Sequence, residues 1–156
     1  MTTPQQRLAE LGLTLPPVPA PVAAYIPSVR TGSLVYTSGQ LPMVDGALTM
    51  TGKVGAEVTP EQAKDLARTA ALNAIAAVAA EVGDLGSVRR IVKVVGYVAS
   101  APEFTGQPAV VNGASELLGE VFGDAGRHAR SAVGVSVLPL DAPVEVELIV
   151  EVATQG

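Results

Sequence analysis

The sequence contains no cysteine, and this absence excludes several kinds of site. Without a thiol the chain can form no disulfide and has no thiolate to act as a nucleophile. Its single histidine leaves too few soft ligands for a zinc or blue-copper site. Magnesium bound by carboxylates alone stays open. We therefore expect no metal site that depends on sulfur or imidazole.

Long apolar runs are also missing. The longest, from Ala70 to Ala80, is interrupted by Asn73 and is much shorter than the roughly 18 residues that a membrane helix needs. The first residues, MTTPQQRLAE, have no cationic start followed by an apolar stretch, which a secretory signal would show. These features predict a cytoplasmic protein with no membrane span.

Positive charge is scarce, since the chain has 10 Lys and Arg residues against 15 Asp and Glu residues and its net charge is −5. A nucleic-acid partner normally requires a strongly basic face, so this balance argues against one. Hydrophobic residues make up 48% of the 156 residues and charged residues only 16%. Such a chain can bury a core, and its excess of apolar surface favours self-association.

The same pattern, a capping box with proline at the first helical position, predicts the start of two helices. Thr3-Pro4-Gln5-Gln6 predicts a short helix to about Leu11, and Thr59-Pro60-Glu61-Gln62 predicts a long one to about Val82. The long helix has an apolar stripe built mostly from alanine, which implies close packing on a sheet. Its members are Ala63, Leu66, Ala67, Ala70, Ala74, Ala77 and Val78.

The remaining pattern mixes strands with one more helix. A proline-rich stretch, LPPVPAPVAAY, predicts an extended arm outside the core, so we expect a helix and arm over 1–24 and a single domain over 25–154. Apolar spacing from Val110 to Val121 predicts another helix. Strands are expected over 28–30, 34–38, 43–48, 88–98, 131–137 and 144–152. This order indicates an α+β fold with both long helices on one face of a mixed sheet.

The final two strands carry the candidate chemistry. Alternation predicts Ser131, Val133 and Val135 towards the helices and Arg130 on the other face, together with Glu145 of the last strand. If the two strands pair as a hairpin, Glu145 lies opposite Ser136 and meets Arg130 only across a subunit contact. Arg130 can bind a carboxylate through its planar fork, or it can be a plain surface counter-ion.

Two other charged features of these strands also have a plain interpretation. His128 either titrates beside Arg130 or simply caps the start of the strand. The acidic residues of the last strand, Glu145, Glu147 and Glu151, can simply form a solvated face.

Two long stretches, YIPSVRTGSLVYTSGQLP from Tyr25 and HARSAVGVSVLPLDAPVEVELIVEV from His128, resemble the reactive intermediate deaminase family, also called RidA or YjgF-like. The resemblance covers Tyr25 to Val152 and fits a longer subgroup. It implies a chorismate-mutase-like α+β fold and a homotrimer whose sheets form a central barrel. Three clefts would lie between the subunits.

The resemblance also implies site residues. Arg130 matches the arginine that holds the substrate carboxylate, and Glu145 matches the acid that activates water. The other matched positions, which would line the cleft, are Tyr25, Ser38, Gly39, Asn112 and the main chain of Ala132. His128 replaces a usual proline and is expected to narrow or recharge the pocket.

The implied reaction is hydrolysis of a 2-imino acid to a 2-oxo acid and ammonia, with no cofactor. Such a reaction needs a carboxylate clamp and an oriented water. One alternative is a non-catalytic regulator of the same fold that binds small ligands. Another is a ribonuclease or translation inhibitor, which the acidic chain and single histidine argue against.

Overall fold

A computed structural model describes residues 2–18 and 24–154 of the chain. The helices are α1 (Pro4–Glu10), α2 (Pro60–Val82) and α3 (Gln107–Phe122). The strands are β1 (Ser28–Thr31), β2 (Leu34–Thr37), β3 (Met43–Val44), β4 (Ala47–Leu48), β5 (Val88–Ala99), β6 (Ala129–Val135) and β7 (Val144–Val152). The α+β fold expected from the sequence is confirmed.

The helix ends follow the capping signals. In both α1 and α2 the threonine hydroxyl accepts from the third helical N–H, and the glutamine side chain accepts from the backbone N–H of that threonine. These reciprocal bonds satisfy donors that a helix start would otherwise leave free. Gly83 ends α2 with a φ of 81°, a value that glycine adopts without strain.

The main sheet has five strands in the order β1-β2-β7-β5-β6. β7 is antiparallel to both β2 and β5, and β6 is parallel to β5. β1 and β2 form a hairpin, and β3 and β4 form a small separate hairpin that turns at Asp45 and Gly46.

The core lies between this sheet and the α2–α3 layer. The predicted alanine stripe of α2 is buried, as are Val144, Val146, Leu148, Val150 and Val152 of β7. Small residues allow the close contact. A Cβ added at Gly96 of β5 would lie 2.5 Å from the Val111 side chain of α3, and one at Gly113 of α3 would overlap the Lys64 carbonyl of α2.

The hairpin considered for β6 and β7 does not form. β7 enters between β2 and β5, and β6 pairs with the far edge of β5 instead. Glu145 therefore lies opposite Tyr97 rather than Ser136. The loop between β6 and β7 is short enough for a hairpin, but β6 pairs with the long, β-branched strand β5 instead.

The predicted faces of β6 are also reversed. Arg130 lies beside Val94, whose side chain is buried under the helices, and it contacts α3 directly. Val133 is instead 44% exposed on the side away from the helices. Alternation tells which residues share a face, but each set here mixes one polar residue with apolar or small ones, so the pattern alone does not assign the buried one. The small residues Ala132 and Gly134 face α3.

The N-terminal segment packs closer than expected. α1 contacts α3 through buried Leu8, and Leu13 and Leu15 pack partly against the core, so the start of the predicted arm contributes to it. Residues 19–23 of that arm lie outside the described residues. In the described ranges, 2–18 and 24–154, no helix combines the length and apolarity required to cross a bilayer.

Candidate functional site

Arg130, in the second position of β6, is held against α3 by three hydrogen bonds. Its Nη1 donates to Asn112 Oδ1 at 2.8 Å and to Ser115 Oγ at 3.2 Å. Its Nη2 donates to the Pro108 carbonyl at 3.3 Å. Because Asn112 and Ser115 are three residues apart, they lie on the same side of the helix, and both accept hydrogen bonds from one guanidinium.

A guanidinium carries five N–H donors, and the described residues engage three of those of Arg130. The donors left are Nε–H and one N–H of Nη2. These two nitrogens border the same edge of the planar group, which is the geometry that binds a carboxylate through two parallel hydrogen bonds. The half-buried side chain is thus held in place, and its Nε–Nη2 edge is the candidate for carboxylate recognition.

His128 lies next to this cluster rather than within reach of Arg130 itself. Its Nε2 is 2.8 Å from Ser115 Oγ, and its Nδ1 is 2.6 Å from the Gly126 carbonyl oxygen. Both ring nitrogens are therefore engaged by described groups. The prediction that His128 belongs to the neighbourhood of the arginine is consistent with these contacts, which run through Ser115.

Glu145 occupies a second cluster at the start of β7. Its carboxyl group lies against Gly39, where an added Cβ would be 2.8 Å from Glu145 Cδ. Burial raises the pKa of Glu145 above its usual value, and the nearby charge of Glu147 raises it further. The Tyr97 hydroxyl donates to Glu147 at 3.2 Å, and burial followed by the charge of Glu147 raises the pKa of Tyr97.

Arg130 and Glu145 lie on opposite faces of the sheet, which corrects the prediction that they share one. Arg130 is in register with Val94 and Leu148, both buried under the helices. Glu145 is in register with Tyr97, and Tyr97 with exposed Val133, on the other side. Within one chain the two side chains therefore cannot act on the same small molecule.

The other predicted site residues are spread over three places. Asn112 contacts Arg130, and half-buried Ala132 follows it on the same side of β6. Ser38 is turned away from both, because its hydroxyl donates to the Ile26 carbonyl at 2.6 Å. Tyr25, which is 65% exposed, shares with Gly39 the wall of a cleft of about 630 Å³ beside α2.

Sequence reasoning missed Ser115, the residue that links His128 to Arg130. A helix predicted from Val110 to Val121 places Ser115 one turn after Asn112, and this i, i+3 spacing is the signal that could have found it. It also missed Tyr97, whose partner across the sheet depends on the register of β5. Within residues 2–18 and 24–154, no cluster of three or more His, Asp or Glu side chains is arranged to hold a metal ion.

Comparison with known proteins assigns the fold and these motifs to one family. Residues 5–152 match the model of the family described as "YjgF/chorismate_mutase-like, putative endoribonuclease". The match spans the helices, the main sheet and both clusters. The chain belongs to this family, the YjgF or RidA family, and the chorismate-mutase-like fold expected from its motifs is confirmed.

Two curated relatives cover most of the chain. Protein TCP17 of Trypanosoma cruzi is 45% identical over 145 residues, which are 92% of this chain and 91% of that protein. The 2-iminobutanoate/2-iminopropanoate deaminase of Salmonella typhimurium is 34% identical over 131 residues, which are 84% of this chain and 89% of the enzyme.

Solved structures agree on the fold. Atu1372 of Agrobacterium tumefaciens superposes with a TM-score of 0.90 at 46% identity, covering 97% of this chain and 94% of its own. TdcF of Escherichia coli, solved with bound serine, superposes with a TM-score of 0.61 at 27% identity, covering 87% and 94% respectively. Members of the family thus include a named imine deaminase and a protein with a small amino acid bound.

Proposed function

We propose that this protein hydrolyses 2-imino acids, or the enamines that tautomerise to them, to 2-oxo acids and ammonia. The observation that carries the proposal is the fixed guanidinium of Arg130, with Nε and Nη2 on one available edge. Its ligand is a carboxylate, bound through two charge-assisted hydrogen bonds. The deaminase named among the relatives supports the choice of reaction.

Glu145 supplies the base in this proposal. The oxygen of a water molecule bonds to C2 of the imino acid while Glu145 accepts a proton from that water. The C2=N double bond becomes a single bond and Glu145 returns that proton to the nitrogen, which gives a carbinolamine. The second proton of the former water then moves from the C2 hydroxyl to the nitrogen, the C2–N bond breaks, ammonia leaves and C2 becomes a carbonyl carbon. The raised pKa of Glu145 makes its carboxylate a stronger base than an ordinary glutamate, which suits proton removal.

The complete site needs two copies of the chain, because Arg130 and Glu145 lie on opposite faces of one sheet. The face away from the helices carries the exposed apolar side chains Val29, Tyr36 and Val133. A patch of this kind favours burial against another copy. We therefore propose a homotrimer with its clefts between subunits, as the family resemblance implies. We also propose a cytoplasmic location, as expected from the sequence.

The activity test follows release of oxo acid from 2-iminobutyrate generated in situ. Arg130→Ala should reduce kcat/KM about tenfold to hundredfold for each charge-assisted bond lost, since such bonds contribute about 1.5–3 kcal/mol. Arg130→Lys keeps the charge without the fork and should also be impaired. Exposed Arg127 is the matched control, and Arg127→Ala should leave the rate unchanged. Equal rates for wild type and Arg130→Ala would reject the proposal.

The assembly test uses a second pair of variants. Val133→Asp places a charge on the open sheet face and should convert the trimer to monomers, as measured by light scattering during gel filtration. Leu11, at the end of α1 on the helical side and 38% exposed, is the control, and Leu11→Asp should remain trimeric. A monomeric wild type contradicts the proposed assembly.

A ribonuclease role is the second candidate, because the family description names an endoribonuclease. Arg127, His128 and Arg130 are close in sequence and could gather a phosphate. The ring of His128 is engaged on both nitrogens, which leaves it poorly placed for acid–base cleavage. RNA cleavage that survives purification and disappears in Arg130→Ala would favour this role. Binding of oxo acid without turnover would instead indicate a regulator.

A further inference from the structure

Four groups form one continuous hydrogen-bonded chain: Arg130 Nη1, Ser115 Oγ, the ring of His128 and the Gly126 carbonyl. The three distances are 3.2, 2.8 and 2.6 Å. The two ends fix its direction, because a guanidinium can only donate and a carbonyl can only accept. The hydrogen of the neutral ring therefore lies on Nδ1 and points to Gly126. Nε2 is left to accept from the hydroxyl of Ser115.

Each atom in the chain has its hydrogen-bonding role settled by its neighbour. Ser115 Oγ accepts a hydrogen bond from Arg130 and donates one to His128 Nε2. The hydroxyl therefore cannot rotate away without breaking two hydrogen bonds. The ring in turn is fixed by the backbone just ahead of β6. A serine alone would be free to rotate about its side-chain bond, whereas this serine is locked from both sides.

We propose that Ser115 and His128 are positioning residues that set the orientation of the Arg130 fork and thereby the affinity for the substrate carboxylate. This inference rests on the proposed function of Arg130. His128 replaces the proline usual at this position in the resemblance, and proline has no side-chain acceptor. The hydrogen-bonded chain from Arg130 through Ser115 and His128 to Gly126, called the relay below, cannot form where a proline stands at position 128.

The substitutions of His128 separate the relay from a simple structural role. Asparagine can place an amide N–H near the position of Nδ1, keeping the bond to Gly126 but losing the acceptor for Ser115. Glutamine can place a carbonyl oxygen near Nε2, keeping that acceptor but losing the bond to Gly126. The relay predicts weaker binding of 2-oxobutyrate and a raised KM in His128→Asn. In His128→Gln it predicts binding and a KM close to those of the wild type. The reverse order would mean that His128 only caps the strand, and would overturn the inference.

Ser115 gives an independent pair. Ser115→Ala removes the hydroxyl and should weaken binding of 2-oxobutyrate and raise KM roughly 2- to 12-fold, the effect of one net hydrogen bond of about 0.5–1.5 kcal/mol. Because the effect falls on carboxylate binding, kcat should change less than KM. Ser115→Thr keeps a hydroxyl and should restore KM. An unchanged KM and dissociation constant in Ser115→Ala, with Arg130→Ala impaired, would overturn the relay and leave the proposed function intact.

A spectroscopic measurement decides the relay even without turnover. The chain has a single histidine, so its ring nitrogens give one unambiguous set of ¹⁵N signals. At alkaline pH the relay predicts the Nδ1–H tautomer in the wild type and a shifted Nε2 signal in Ser115→Ala. An Nε2–H tautomer, or an Nε2 signal unmoved by Ser115→Ala, refutes it. If the wild type neither binds nor hydrolyses the acids, the proposed function fails while this spectrum still judges the hydrogen-bonded chain.

Discussion

Two glycines of α3 should respond in opposite ways to the same substitution. A Cβ added at Gly113 would fall inside 3.0 Å of the Lys64 carbonyl oxygen on α2, whereas one added at Gly119 meets nothing within 4 Å. Gly113 is buried between the helices and Gly119 is exposed. Gly113→Ala therefore tests how closely α2 and α3 pack, and Gly119→Ala is its control in the same helix.

The expected sizes follow from two opposing terms. Alanine is a better helix former than glycine by about 0.8–1.0 kcal/mol, and Gly119→Ala should gain that amount. At Gly113 the obstacle is main chain, which cannot move aside as a side-chain tip can, so we take the upper part of the usual overpacking cost, about 3 kcal/mol. After the propensity gain of about 1 kcal/mol, Gly113→Ala should lose about 2 kcal/mol.

Thermal unfolding at one fixed protein concentration measures both variants. For a chain of this size 1 kcal/mol corresponds to about 2–4 °C, so Tm should rise by about that for Gly119→Ala and fall by about 4–8 °C for Gly113→Ala. Similar stabilisation of both variants would refute the close contact between Gly113 and Lys64, and with it the packing of the helical layer described above.

Three further predictions concern the site and α2. Glu145→Gln should raise Tm at neutral pH, because a raised pKa means that folding disfavours the carboxylate. The gain in Tm should shrink as pH falls through that raised pKa. A gain in Tm that grows towards acid would contradict the raised pKa. Gly39→Ala should displace the Glu145 carboxyl and lower kcat with little change in Tm, and an unaltered kcat would count against Glu145 as base. Thr59→Ala removes the hydroxyl that accepts from Gln62 N–H and should cost about 1 kcal/mol in urea unfolding, with no loss expected if the capping box is dispensable.

The helices and β7 could be predicted from the sequence because their signals are local. Threonine, proline and glutamine at fixed spacing determine where α1 and α2 begin, and glycine determines where α2 ends. β7 alternates valine and leucine with glutamate except at Ile149, so only one of its faces can be buried without burying charge. The family resemblance added the fold to these separate elements.

The location of β6 could not be predicted in the same way. Its neighbours are fixed by pairing with β5, a strand about 40 residues earlier in the sequence, and no local pattern encodes that choice. Each of its two faces combines one polar residue with apolar or small ones: Ser131 with Val133 and Val135, and Arg130 with Ala132 and Gly134. The β-branched set looks like the core set, yet the smaller residues face α3 because the helix approaches closely there.

This reversal also decided which partners Arg130 has. The sequence predicted a guanidinium on the open face, free to meet another copy, and the structure turns it under α3 to Asn112 and Ser115. Asn112 was expected near the site through the family motif alone. Ser115 belongs to no motif and is found only once the strand and the helix are placed together.

The position of β7 has a consequence for how the chain folds as it is synthesised. β7 follows the other strands in sequence, yet it lies in the middle of the sheet, where it joins the β1–β2 hairpin to the β5–β6 pair. Until it emerges from the ribosome these two parts have no shared strand, and their inner edges stay open to other nascent chains. Folding of the sheet must therefore await residues 144–152, and a chain stalled before them is expected to need chaperone protection.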